Sequence, residues 1–106
     1  MKIYNLNEMN GGWFIGDFEP SIFRQKDFEV GIKYYTAGVK ERLHVNKVST
    51  EITVVISGRI QMANIILKKG EIIVLNPNDE SEFEALEDSA LAIVKFPSVP
   101  SDKYLL

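Results

Sequence analysis

The chain contains no cysteine. Disulfides, thiolate metal sites and cysteine nucleophiles are therefore excluded, and the fold must rest on packing alone. Histidine occurs once, at His44, so any imidazole chemistry has a single address. A basic excess is missing as well. Twelve Lys and Arg face fifteen Asp and Glu, a formal charge of −3 with pI ≈ 5.1, which argues against an electrostatic footprint for nucleic acid. Long apolar runs are also lacking. Stretches such as Ile52–Ile56 and Ile72–Leu75 fall far short of the ~20 residues of a spanning helix. The opening residues, Met1 to Glu8, place an acid and amides where a signal peptide needs an apolar core, so a cytoplasmic protein is expected.

What remains is ordinary for a globular protein. The length of 106 residues fits one domain, and 45% hydrophobic residues suffice for a core. Strand signals dominate. Phe28 to Tyr35 alternates, which predicts Phe28, Val30, Ile32 and Tyr34 on the core face and Lys33 and Tyr35 on the polar face. Glu51–Ile56 is rich in β-branched residues and stops at Ser57-Gly58. Arg59–Ala63, Ile65–Leu67, Ile72–Leu75, Ser81–Leu86 and Ala90–Phe96 follow, separated by Asn64, Lys69-Gly70-Glu71 and Asn76-Pro-Asn-Asp79 turns. Short strands at this spacing predict an all-β sandwich or barrel. Residues 1–27, with Trp13, Phe14 and Phe18, read as an arm against the barrel or a partner, residues 28–96 as the barrel, and residues 97–106 as an extended cover.

One segment carries more. From Gly38 to Gly58 the order is Gly, five residues, His44, one residue, Asn46, four residues, Glu51, six residues, Gly58. This resembles the first sequence motif of the cupin superfamily, with Asn46 where that family has a second His. Gly70 to Phe83, with Pro77, is similar to the second motif, but no His closes it. Counting from Gly70 places Ser81 at that position, and counting from Pro77 places Glu82 there. Alternation favours Ser81 inward and Glu82 outward. The resemblance implies a cupin-type jelly-roll β-barrel of two packed antiparallel sheets, with a pocket in its mouth.

The resemblance also implies a site. In metal-binding cupins the matching positions hold the ion, which here gives His44, Asn46, Glu51 and Ser81 or Glu82 for a divalent cation, Mn, Fe, Ni or Zn among them; an oxygen-rich set of this kind suits Mn or Mg better than Zn or Cu. Some cupins that look like sugar-nucleotide isomerases and epimerases use no metal. On that pattern His44 is the base, Glu51 or another acid orients it, and Tyr34 is the candidate proton donor. Arg42 shares the parity of His44 and could meet an anionic ligand.

Blander roles stand beside these: His44 as a core histidine bonded to Glu51, Asn46 as a turn residue, and Trp13 as a packing anchor. Three expectations therefore stay open. One is a small-molecule-binding cupin with a polar or sugar-like ligand, a carbohydrate among the candidates, on Arg42, His44, Asn46 and Glu51. The second is an enzyme, either a metal-free sugar-nucleotide isomerase or epimerase or a metal-dependent cupin. The third is an interaction subunit with a filled barrel. The aromatic arm suggests a homodimer.

Overall fold

Alternating and β-branched segments separated by turn residues fold into ten strands, described over residues 1–106 in a computed structural model. They are β1 (Trp13–Ile15), β2 (Glu29–Tyr35), β3 (Lys40–Val45), β4 (Thr50–Ser57), β5 (Arg59–Met62), β6 (Ile65–Lys68), β7 (Ile72–Leu75), β8 (Ser81–Ala85), β9 (Ser89–Phe96) and β10 (Tyr104–Leu105). A single 3-10 turn, Leu6–Glu8, precedes them. One antiparallel sheet runs β1-β2-β9-β4-β7 and the other β10-β3-β8-β5-β6. The architecture is the expected all-β jelly roll of two packed sheets.

Turn chemistry closes the hairpins. Ala63 and Asn64 both take positive φ between β5 and β6, the geometry of a two-residue hairpin loop. Gly58 turns β4 into β5 at φ +83°, where a Cβ would also lie 2.8 Å from the Ser89 Cα. The sheets extend beyond the expected 28–96 barrel at both ends. The arm contributes β1, which pairs with β2, and the tail contributes β10, which pairs with β3.

The core gathers at one end of the barrel, where Val55, Ile60, Phe83, Ala85 and Leu91 are essentially sealed from solvent. The interior changes character toward the other end. On the inward side of β2, β9 and β4 lie Glu29, Lys95 and Glu51, aligned across the sheet by the pairs Glu29↔Lys95 and Glu51↔Lys95. This row overturns the expected alternation of β2. Glu29 and Gly31 are buried, Lys33 and Tyr35 are partly buried, and Tyr34 is 74% exposed. The pattern failed because the strand's apolar side coats the outside of the sheet, while its polar side lines the barrel.

Candidate functional site

Burying charge is costly unless it is paired and hydrogen-bonded, so a polar barrel end requires a network. Glu29, 4% exposed, accepts a hydrogen bond from the Ser98 hydroxyl at 2.7 Å and faces Lys95 Nζ at 3.7 Å. Ser98 in turn accepts from the backbone N–H of Asp17 at 2.9 Å. The arm and the tail are thus tied together over the mouth of the barrel. Asp102, 1% exposed, fixes the tail a second time. Its carboxylate accepts the backbone N–H groups of Lys47, Val48 and Ser49 at 2.8–3.2 Å. Burial alone would raise its pKa, but these N–H donors win and hold it below the usual carboxylate value.

Beneath this cover lies a cavity of about 310 Å³. That is room for roughly ten water molecules, at the lower end of the range for small-molecule pockets. Phe83, Leu91, Ile93 and Met62 supply its apolar lining. Polar groups enter from both sheets: Lys33 and Tyr35 from β2, Lys95 from β9, Glu51 from β4, Glu41 and His44 from β3, and Ser81 from β8. Trp13 of β1 forms part of the wall. Its ring lies over Gly31, where an added Cβ would sit 2.7 Å from the indole, so glycine at 31 is what lets the indole lie against the sheet.

His44 has a defined tautomer. Its Nδ1 lies 2.8 Å from the carbonyl oxygen of Arg42, a group that only accepts, so Nδ1 carries the proton in the neutral ring. Nε2 is left as an acceptor or base. Tyr35 lies 3.5 Å from Glu41 Oε1. Burial, the negative charge of Glu41 and this hydrogen bond push the phenol far above its ordinary pKa, so it stays a neutral donor.

The site residues expected from sequence fall into two groups. His44, Glu51 and Ser81 line the cavity together. Asn46 is buried beside them rather than facing the cavity, and its amide nitrogen donates to Glu51 Oε1 at 3.3 Å. Arg42 is exposed, because β3 carries an irregularity between Glu41 and His44 that breaks the parity assumed for it. Tyr34 points out of the barrel, and its neighbour Tyr35 takes the inward place. Glu82 faces outward, as alternation indicated, and accepts the Asn64 N–H at 2.7 Å, which removes it from the metal set.

The remaining set, His44, Asn46, Glu51 and Ser81, does not fit a divalent cation. Asn46 presents its N–H to Glu51, and no three His, Asp or Glu side chains converge in a metal-holding group.

Sequence reasoning did not place Lys33, Tyr35, Glu29 or Lys95 at the cavity, whereas Trp13 packs over Gly31 as the anchor it was read to be. One signal was available: Lys95 interrupts an otherwise apolar strand, which is where a buried functional charge stands out.

No known family model matches the chain, and no curated protein does. Solved structures match well in shape. An uncharacterized conserved protein with a double-stranded β-helix domain from Klebsiella pneumoniae is 20% identical with a TM-score of 0.71, over 98% of this chain and 90% of that one. A cupin-2 domain containing protein from Shewanella frigidimarina is 22% identical with a TM-score of 0.61, over 68% and 72%. A sugar phosphate isomerase from the cupin superfamily of Silicibacter pomeroyi is 18% identical with a TM-score of 0.60, over 66% of this chain and 50% of that one. Such identities carry architecture rather than chemistry. The two five-stranded sheets, the polar barrel mouth and these likenesses together establish that the chain has the cupin fold.

Proposed function

We propose that the protein binds a small polar, sugar-like molecule in the barrel mouth, against His44. The observation that carries this reading is the covered cavity of about 310 Å³, with polar side chains above an apolar floor. A filled barrel would have left no such space. The volume suits a monosaccharide-sized ligand better than an enclosed sugar nucleotide. His44 Nε2 and Glu51 supply acceptors, and Tyr35 and Ser81 supply hydroxyls, the groups that recognise a polyol. The likeness to a sugar phosphate isomerase agrees with this class of ligand.

Proton transfer is a second reading, and the tautomer of His44 favours it. A base at Nε2 and a neutral Tyr35 hydroxyl share one cavity, the pair needed to move a proton next to a carbonyl and steady the oxyanion. Tyr35 takes the donor's part in place of Tyr34.

The test is a thermal-shift panel of monosaccharides and sugar phosphates. At least one should raise Tm, and His44→Gln should weaken that binder by tenfold or more while leaving the apo Tm within a few degrees. A panel without a shift, or a variant that loses stability but not binding, would contradict the reading.

The homodimer expected from the aromatic arm is proposed through another surface, because Trp13 is spent inside its own barrel. The outward positions of β2, β9, β4 and β7 carry no charge, and Tyr34, Ile72 and Val74 are 51–74% exposed there. A two-fold interface brings the same face together from both copies, so an uncharged face meets no like-charge penalty. Light scattering should give twice 12.0 kDa for the native chain and 12.0 kDa for Val74→Glu. A native chain that runs at 12.0 kDa would refute the dimer.

A further inference from the structure

The charges around the cavity do not all cancel. Three lysines line it, and two are matched: Lys95 lies 3.7 Å from Glu29, and Lys103 lies 3.5 Å from Glu41. Lys33 takes part in none of the chain's ion pairs or side-chain hydrogen bonds. Its ammonium instead sits 5.6 Å from the centre of the Trp13 ring, at the rim of a wall the indole completes. On the acidic side, Glu19 pairs with Arg24, and Glu51 has only the Asn46 amide. Two charges therefore remain outside any close ion pair: Lys33 on β2, which feels Glu41 only at longer range, and Glu51 on β4. The strands are separated by β9, and the register offsets the two residues by four positions, since Glu51 and Glu29 both pair with Lys95. The cavity is bipolar, cationic toward Lys33 and acceptor-rich toward Glu51 and His44.

We propose that the ligand of this cavity is a hydroxylated molecule bearing a carboxylate or phosphate, with its anionic group on Lys33, its body against Trp13, and its hydroxyls toward Glu51 and His44. The inference rests on the cavity being a small-molecule site and names the ligand's chemical class. A half-buried ammonium without a close ion-pair partner is a binding determinant for an anion, because the ion pair forms where its desolvation is already partly met. Burial lowers the Lys33 pKa, with Glu41 opposing and Lys103 and Lys95 adding to the shift, so the negative charge of a bound anion would offset it. The Trp13 face offers the apolar side of a sugar ring a flat surface at low entropy cost.

The experiment compares glucose, D-glucuronate and glucose 6-phosphate by NMR titration of the intact protein and of Lys33→Gln and Lys33→Arg. At least one acidic sugar should bind tenfold or more tighter than glucose. Lys33→Gln should remove that preference, and Lys33→Arg should retain it. The acidic sugar that wins distinguishes carboxylate from phosphate. Equal binding of glucose and both acids, unchanged in Lys33→Gln, would overturn the anionic class while leaving the cavity as a sugar site. No binding by any of the three would overturn this inference together with the reading beneath it.

Discussion

Thr53 shows how the polar interior constrains single side chains. It lies on the inward side of β4 between Glu51 and Val55, 1% exposed, and its hydroxyl is the one buried side-chain polar atom without a partner. An unmet buried hydroxyl costs about 1–3 kcal/mol, whereas an apolar group of the same shape costs nothing there. Thr53→Val should therefore raise stability by about 1 kcal/mol, read as a Tm increase of roughly 4–8 °C. A fall in Tm would show that the hydroxyl has a partner. Legibility at this scale divides along the same line. His44, Glu51 and Ser81 were readable because motif spacing fixes their strands and alternation fixes Ser81. Tyr35, Lys33 and Arg42 were not, since which side of β2 faces inward and where β3 loses its register depend on the closed barrel.

At the scale of elements, the two chain ends deserve the weight that the sequence did not give them. The run Pro97–Leu106 reads as an extended cover, and in the fold Asp102 anchors it by binding three successive backbone N–H groups of the β3–β4 connection. Nothing local marks that carboxylate as a long-range anchor, because its partners are main-chain groups some fifty residues away. Hydrogen bonds to a buried charge are worth more than neutral ones, so Asp102→Asn should cost roughly 2–4 kcal/mol at neutral pH. The sign with pH follows from the direction of the shift. The folded-state pKa lies below the unfolded value, so the stabilisation is complete above the ordinary aspartate range and is lost as pH falls through the folded value. Urea midpoints of the two proteins should differ widely at pH 7 and converge below about pH 4. A gap that stays constant across that range would refute the charge-based anchor.

The whole molecule was legible as architecture and only partly as a site. Turn residues and β-branched runs placed most strands within a residue or two, because hairpin chemistry is local. Which strand faces were wet was not local. β2 presents its apolar residues outward, and the polar network Ser98–Glu29–Lys95 exists only once the arm, the tail and β9 meet. That network lies at the cavity end of the barrel, opposite the apolar core, and the function proposed for the protein rests on the cavity. Its most direct test is a ¹H–¹⁵N chemical-shift titration of the native chain with the tightest binder from the sugar and sugar-phosphate panel. Perturbed amides should cluster on the cavity wall, at Trp13, Lys33, Tyr35, His44, Glu51, Ser81 and Phe83. Perturbations confined to the outer sheet face around Ile72 and Val74, or none at saturating ligand, would contradict it.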